Sequence, residues 1–318
     1  MAVCPSSSEF LDDMDVVLVK IGGSSITHKA KHEALNHQAL EWFSKLLIDK
    51  LDPRFSVIAE DNNVDGLTTT MTNQSQSARG GRGVGFIVVH GAGSFGHFEA
   101  KKYGLRGQTS EATARRFDSS DWNERKVRMN GLAKTRISVQ KLNRLVVSAL
   151  VEEGINAVGI SPCFGIPKIQ AHAGSQPQAF GDLCTVVKDT LAAGLVPCLH
   201  GDAGIFGDDA AILSGDTIVE MLGQQSWIDR VVFITDVDGV FTEDPRSNPD
   251  AKLLRKVTVE QETGKLITHV NASTSSHEHD VTGGLKVSIV RFVDNTASTT
   301  DRCWMRMLDG FYVQLCEV

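Results

Sequence analysis

The sequence lacks the features that mark membrane-spanning, exported and nucleic-acid-binding proteins. No run of residues approaches the roughly 20 consecutive apolar positions that a transmembrane helix needs. The N-terminal segment MAVCPSSSEFLDDMD has neither a basic start nor an apolar core, so it predicts neither a secretory signal nor an Arg-rich transit peptide. A formal net charge of −7 argues against a nucleic-acid-binding surface. We therefore expect neither a membrane nor a nucleic acid among the partners.

Paired cysteines are also missing. The six cysteines show neither a C-x-x-C pair nor a regular spacing, and they stand at Cys4, Cys163, Cys184, Cys198, Cys303 and Cys316. This distribution fits neither a disulfide framework nor a zinc site, so no metal-ligating residues are predicted. Scattered thiols are typical of proteins in a reducing compartment. We therefore expect a cytoplasmic protein.

The composition is globular, and strand-like segments alternate with helical ones. Apolar residues make up 41% and charged residues 22%, and the length of 318 residues is enough for one large core or two lobes. Strand-like runs occur at 16–19, 85–89, 157–160, 196–199 and 231–235, and helical patterns at 33–48, 133–153 and 183–193. This alternation predicts an α/β fold, a three-layer αβα sandwich with a mostly parallel central sheet, in which ligands lie beyond the carboxyl ends of the strands. The polar stretch 61–83 is expected to be a mobile surface insertion.

The first strand runs into the glycine loop Lys20-Ile21-Gly22-Gly23-Ser24-Ser25. Glycines leave backbone N–H groups open to a phosphate, and the lysine adds a fixed positive charge. The loop is not a Walker A motif, because G-x-x-x-x-G-K-[ST] occurs nowhere in the chain. A tight strand-to-helix turn with a solvated lysine is the alternative interpretation of the same residues.

A second glycine loop, His90-Gly91-Ala92-Gly93-Ser94-Phe95-Gly96-His97, follows another β-branched strand. Residues 91–96 match G-x-G-x-x-G as a string, but no acidic residue closes a second strand about 20 residues later, which argues against a dinucleotide-binding fold. A single histidine is usually a surface or core residue. A histidine that closes a glycine loop at the carboxyl end of a strand is a stronger candidate, so we predict that His97 is functional.

Further loops of this kind follow along the chain. Gly201-Asp202 comes after a strand, Ser214-Gly215-Asp216 opens a predicted helix, Thr235-Asp236-Val237-Asp238-Gly239 ends a strand, and Thr282-Gly283-Gly284 offers glycines to another phosphate. Each has a structural alternative, because Asp commonly supplies turns and helix caps and 235–239 also fits a type I turn. Together the loops predict a cleft lined with amides, lysines and carboxylates. Phosphoryl transfer from a nucleotide requires such a cleft.

In this combination and order the loops resemble the amino acid kinase superfamily, and most closely its isopentenyl phosphate kinase branch. The resemblance runs from about Val16 to Gly284, and its motifs are 20–24 with Lys29, 90–97, Thr135-Arg136-Ile137-Ser138-Val139, 214–216 and 235–241. It implies the amino acid kinase fold, a homodimer, and the transfer of a phosphoryl group from ATP with Mg²⁺ to isopentenyl phosphate. The loop that ends in Ser-Phe-Gly-His is also similar to that of fosfomycin kinase.

The resemblance further implies roles for individual residues. The implied catalytic residues are Lys20, Lys29, His97 and Asp216, of which Asp216 would orient Lys20. The implied nucleotide-binding residues are Gly22, Gly23, Ser24, Gly93, Thr235, Asp236, Gly239 and Gly283. The implied acceptor-binding residues are Ala92, Gly96, His97 and Gly201.

The resemblance divides the chain into a flexible N-terminus (1–13), an acceptor-binding lobe (14–200), a nucleotide-binding lobe (201–285) and an atypical C-terminal tail (286–318). After Thr-Gly-Gly the family continues Met-x-x-Lys, whereas this chain reads Leu285-Lys286-Val287-Ser288, which places the lysine two residues early. Two alternatives to an isopentenyl phosphate kinase stay open. One is a kinase for another small phosphate or phosphonate. The other is a catalytically impaired, ligand-binding relative, which the altered tail favours.

Overall fold

A computed structural model describes ten segments of the chain. They are residues 11, 13–56, 83–105, 122–163, 168–169, 178–206, 209–235, 248–252, 303–308 and 311–317. Most of the predicted insertion (61–82) lies outside these residues, and Gly83 already opens a strand.

The described residues form ten strands, six α-helices and one 3₁₀ turn. The strands are β1 (Met14–Ile21), β2 (Gly83–His90), β3 (Ala157–Ile160), β4 (Lys168–Ile169), β5 (Val196–His200), β6 (Asp202–Phe206), β7 (Asp209–Leu213), β8 (Arg230–Thr235), β9 (Cys303–Leu308) and β10 (Phe311–Glu317). The helices are α1 (Gly23–Ile26), α2 (His37–Ile48), α3 (Gly93–Lys102), α4 (Trp122–Glu152), α5 (Gln178–Ala192) and α6 (Gly215–Gly223), and the 3₁₀ turn is Pro53–Phe55.

Seven strands form the central sheet, in the order β3-β5-β2-β1-β8-β10-β9. The first five of these are parallel to their neighbours, and β10 and β9 run antiparallel at the far edge. Seven of the eight residues of β1 are buried, as is typical of a parallel strand covered on both faces. A smaller sheet has the order β4-β6-β7. The predicted mostly parallel sheet is confirmed.

Helices cover both faces of the central sheet. Successive side chains of a strand point to opposite faces. On β2, His90 contacts Asn143 of α4 at 3.1 Å, whereas the neighbouring Val89 lies 3.7 Å from the point where a Cβ on Gly215 of α6 would stand. The α5 residue Leu191 lies on the same face as Val89, beside Gly85. Helix α4 therefore covers one face and α5 and α6 the other, which confirms the predicted three layers.

Three predicted helix starts were wrong. Helix α5 starts at Gln178 rather than at 183. Helix α2 starts at His37 rather than at Glu33, because Asn36 caps it by accepting a hydrogen bond from Ala39 N–H (3.2 Å) and Glu33 has a φ of 48°. Helix α4 starts at Trp122, eleven residues before the predicted start at 133. Its first turns leave Trp122 68% and Val127 53% exposed, so they lack the apolar period that marks a buried helix face.

The C-terminal tail contributes strands to the sheet. Within the predicted atypical segment, β9 and β10 pair antiparallel with each other, and β10 pairs with β8 in the register Val313↔Ile234. Strand β8 in turn pairs with β1, so one sheet crosses the boundary between the two predicted lobes. The lobe boundaries themselves stay a prediction.

Two buried histidines end neighbouring strands of this sheet. His90 of β2 and His200 of β5 are register partners, and their ring centroids lie 5.9 Å apart. Burial, and then repulsion from His200, lower the pKa of His90 from its ordinary value to about 3. Burial also lowers the pKa of His200. The folded protein therefore holds both rings neutral at physiological pH.

We expect this pair to make the fold sensitive to acid. Below about pH 6.5 the unfolded chain takes up protons on these histidines that the folded chain does not. The free energy of unfolding is therefore fully retained above that pH and falls as the pH drops, by up to ~1.4 kcal/mol per pH unit for each proton. Urea unfolding of His90→Asn between about pH 6.5 and pH 5 should show a shallower decline than the parent. The exposed residue His37 supplies the control, since His37→Asn should decline as the parent does. Equal slopes for parent and His90→Asn would contradict the assignment.

Candidate active site

Three of the glycine loops predicted from the sequence meet at the carboxyl ends of the parallel strands. Each loop begins with a backbone N–H that donates to the end of the neighbouring strand: Gly22 to Ile234 O, Gly91 to Ile21 O, and Gly201 to His90 O, all at 2.9 Å. The loops after β1, β2 and β5 therefore start at one level of the sheet. Their convergence is the geometry that the sequence predicted.

The first two loops are in direct backbone contact. A Cβ built on Gly23 would stand 2.2 Å from Gly93 N, and one built on Gly93 would stand 2.6 Å from Gly23 O. Gly93 also has a φ of +51°, a conformation that residues with a side chain rarely adopt. Both positions therefore require glycine for the two loops to lie side by side.

Side chains that were not predicted as site residues hold this contact in place. The hydroxyl of Thr27 donates to Gly23 O (2.7 Å) and accepts from Ser94 N–H (3.0 Å), so it bridges the two loops. The hydroxyl of Ser94 in turn accepts from Ala34 N–H at 3.2 Å. Short hydroxyl residues beside glycine loops are a signal for such bridges, but the sequence does not show which backbone groups they reach.

Gly201 and Gly215 bring the third loop and the start of α6 close together. A Cβ on Gly201 would stand 3.2 Å from Gly215 N and 3.7 Å from Ala92 N, so the third loop faces both the second loop and the start of α6. Ser214 caps α6 by accepting a hydrogen bond from Thr217 N–H (3.1 Å). The capping role that was left open for Asp216 therefore belongs to Ser214.

Lys20 of β1 and Asp216 of α6 form an ion pair between the sheet and the helix. The ammonium of Lys20 contacts the carboxylate of Asp216, and each side chain is only 10% exposed. The ring of Phe233 lies 5.9 Å from Lys20 Nζ. The pairing implied by the resemblance is thus present in the structure. Because a carboxylate holds the ammonium at the edge of the cleft, Lys20 can present its charge in a fixed direction.

His97 lies on a helix, and the prediction that it closes a loop was wrong. The loop after β2 ends at Ala92, and Gly93–Lys102 forms α3. Helix formation is favoured here because Phe95 and Gly96 are buried; a Cβ on Gly96 would stand 2.8 Å from Val139 of α4. His97 is half-buried one position beyond Gly96. Gly96 therefore has a packing reason to be glycine, and its part in acceptor binding stays a prediction.

The remaining predicted residues are placed only in part. Lys29 is exposed in the turn that follows Thr27, and Gly22 and Ser24 are half-buried at the start of the first loop. Thr235 ends β8, on the same side of the sheet as the glycine loops. Asp236, Gly239 and Gly283 lie outside the described residues.

A buried polar cluster beside the third loop was missed by the sequence analysis. Asp202 is 1% exposed and opens β6 rather than a turn. Its carboxylate accepts from Ser161 Oγ (3.0 Å) and lies 3.5 Å from Arg136 Nε. The Arg136 guanidinium also donates to Ser161 Oγ (3.1 Å) and to Cys163 O (2.9 Å). Arg136 stood within a family motif, but nothing in the sequence pairs it with Asp202.

Across the described segments, no group of three or more His, Cys, Asp or Glu side chains is arranged to hold a metal ion. Within the same segments, no helix combines the length and apolarity needed to cross a membrane.

Comparisons with known proteins give the family. A model of the amino acid kinase family matches residues 15–303. The chain is 33% identical over 299 residues to isopentenyl phosphate kinase of Arabidopsis thaliana, with 86% of this chain and 81% of that protein covered. It is 31% identical over 275 residues to isopentenyl phosphate kinase of Methanothermobacter thermautotrophicus, with 85% and 83% covered. An X-ray structure of isopentenyl phosphate kinase superposes with a TM-score of 0.54 at 29% identity, covering 75% of this chain and 80% of that one.

These comparisons confirm the resemblance drawn from the motifs. The family match continues to residue 303, beyond Gly284, where the motifs recognised in the sequence end. The superposition extends the likeness from the loops to the fold. The chain belongs to the amino acid kinase family.

Proposed function

We propose that the chain is an isopentenyl phosphate kinase, which transfers the γ-phosphoryl group of ATP to isopentenyl phosphate and releases isopentenyl diphosphate and ADP. Its similarity to isopentenyl phosphate kinases extends over more than four-fifths of two of them. The observation that carries the proposal is the contact between Gly23 and Gly93. It joins a loop suited to the nucleotide phosphates to a loop suited to the acceptor, as direct transfer requires.

A phosphate acceptor needs donors rather than a general base. The second pKa of a phosphate monoester is roughly 6, so the attacking oxygen is already ionised at neutral pH. The Ala92 N–H at the start of α3 can neutralise and aim it. Gly201 lies beside Ala92, but its own N–H donates to His90 O, so Gly201 contributes space for the acceptor rather than a donor. His97, half-buried on α3, adds a side-chain N–H that can bind the same phosphate.

The other half of the site would hold the nucleotide. Gly23, Ser24 and Gly93 are proposed to present backbone N–H groups to a polyphosphate. Gly22 belongs to the same loop, but its N–H donates to Ile234 O, so Gly22 is proposed to line the nucleotide site without donating. Lys20, fixed by Asp216, places positive charge where the transferred group becomes most negative, and Lys29 is proposed to approach the same group. Mg²⁺ is proposed to bind through the nucleotide phosphates and water, since Mg²⁺ usually keeps several waters and takes few protein ligands.

The same donor arrangement would serve another small phosphate or phosphonate. A coupled ADP-release assay with isopentenyl phosphate, dimethylallyl phosphate, a simple alkyl phosphate and fosfomycin separates these acceptors. We expect kcat/KM for isopentenyl phosphate to exceed that for the alkyl phosphate and fosfomycin. If kcat/KM is higher for another acceptor, that acceptor becomes the proposed substrate instead of isopentenyl phosphate. Binding of ATP without turnover of any acceptor would support a ligand-binding relative.

The assembly and location are also proposals. We propose a cytoplasmic homodimer. Four large hydrophobic side chains are exposed along α4, namely Trp122, Val127, Ile137 and Val151, and they are suited to contact with a second copy. Light scattering coupled to gel filtration measures the mass of the particle. A mass of one chain would refute the dimer.

We expect His97→Ala to lower kcat/KM for isopentenyl phosphate by about 10²- to 10³-fold, because it removes a donor to the charge on the acceptor. His97→Gln keeps an N–H donor and should retain more activity. Steady-state kinetics with varied isopentenyl phosphate gives both values. His37→Ala, at an exposed histidine of α2, is the matched control and should behave as the parent. Equal kcat/KM for His97→Ala and the parent would remove His97 from the site.

We expect Lys20→Met to lower kcat far more than it raises KM for ATP, because its charge matters most while the phosphoryl group is in transfer. Lys45→Met is a suitable control, since Lys45 pairs with Glu41 on the exposed face of α2. A variant with unchanged kcat and a raised KM for ATP would make Lys20 a ground-state binding residue instead.

A further inference from the structure

The two buried histidines below the glycine loops make the same contact. In each case the ring Nδ1 lies 3.0 Å from the carbonyl oxygen of the next residue, Gly91 for His90 and Gly201 for His200. A carbonyl oxygen can only accept, so Nδ1 carries the proton in both rings. Each histidine thus holds the carbonyl of the glycine that starts a loop of the proposed acceptor site.

Asn143 fixes this tautomer at His90. Its side-chain amide Nδ2 lies 3.1 Å from His90 Nε2 and donates to Cys198 O, also at 3.1 Å. An amide N–H facing Nε2 requires an unprotonated nitrogen there, which leaves the ring proton on Nδ1. The cluster is closed to solvent, since His90 is 0% and Asn143 7% exposed. His90 is therefore held in one orientation and one protonation state.

The peptide bond between Gly91 and Ala92 links the orientation of the Gly91 carbonyl to that of the Ala92 N–H. The Gly91 carbonyl and the Ala92 N–H belong to one planar trans peptide, so they point in opposite directions. Drawing the Gly91 oxygen toward the His90 ring turns the Ala92 N–H away from the core. Ala92 N stands 3.7 Å from where a Cβ of Gly201 would be, which places it among the converging loops.

We propose that His90 is a positioning residue for the acceptor phosphate: its hydrogen bond to Gly91 O aims the Ala92 N–H at that phosphate. The inference rests on the proposed function and adds a residue that touches neither substrate. His200 makes the matched contact on the next strand, but the peptide that it holds leads into β6. The two histidines therefore make the same contact with a following glycine, but only the peptide that His90 holds leads into α3.

The kinetic test compares three variants with the parent. His90→Leu keeps the bulk and removes the donor, and we expect it to raise KM for isopentenyl phosphate about tenfold or more, as loss of an aligned bond to a charged group would. KM for ATP should change less than about threefold. His90→Asn puts an amide N–H near the position of Nδ1 and should restore most of the acceptor affinity. His200→Leu should not raise KM for the acceptor selectively.

Three kinetic results would overturn the proposal. These are an unchanged KM for isopentenyl phosphate in His90→Leu, an equal rise in KM for both substrates, or a His90→Asn variant as impaired as His90→Leu. If His90→Leu does not fold, Asn143→Leu replaces it, and it should raise the acceptor KM in the same direction because the tautomer is no longer fixed.

A second measurement does not depend on activity. Nitrogen-15 NMR of the ligand-free protein should show His90 with Nδ1 protonated and Nε2 bare at neutral pH, and a proton on Nε2 would overturn the proposal. Turnover of isopentenyl phosphate by the parent tests the proposed function separately. If the parent does not turn over isopentenyl phosphate, the proposed function is wrong. If the parent is active but the His90 variants do not change the acceptor KM selectively, only the role of His90 is wrong.

Discussion

The backbone contact between Gly23 and Gly93 is the constraint on which the candidate site depends. Parallel strands bring the loops after β1 and β2 to the same edge of the sheet, but side chains would normally keep the loop backbones apart. Because neither residue has a Cβ, Gly93 N lies where a side chain on residue 23 would start, and Gly23 O lies where a side chain on residue 93 would start. Under the proposed function, the donor and acceptor phosphates lie on the two sides of this contact.

Paired buried polar groups surround the loops that make this contact. Lys20 is held by Asp216, Asp202 by Arg136 and Ser161, and the carbonyls of Gly91 and Gly201 by His90 and His200. Removing one partner of such a pair leaves a desolvated polar group and is costly, so each arrangement is rigid. A site that acts by electrostatic stabilisation gains from this rigidity, because its dipoles need no reorganisation during the reaction.

The sequence predicts the local parts of this structure better than the contacts between them. β-Branched runs predicted the five parallel strands of the central sheet, but not β4, β6, β7, β9 or β10. The family motifs predicted that Asp216 would meet Lys20. Residues 91–96 look glycine-rich in the sequence, but Gly93–Gly96 are buried, so a helix forms where a loop was expected. The partners of Asp202 and His90 lie 41 to 66 positions away along the chain, and no periodic pattern encodes them.

The central claim is that the two loops place donor and acceptor side by side, so that the phosphoryl group moves once without resting on the protein. The direct measurement is the stereochemical course of the reaction of isopentenyl phosphate with ATP made chiral at the γ-phosphorus by three oxygen isotopes. A single in-line transfer predicts inversion at phosphorus. Retention would contradict the account, because it requires a second displacement, for example through a phosphorylated His97.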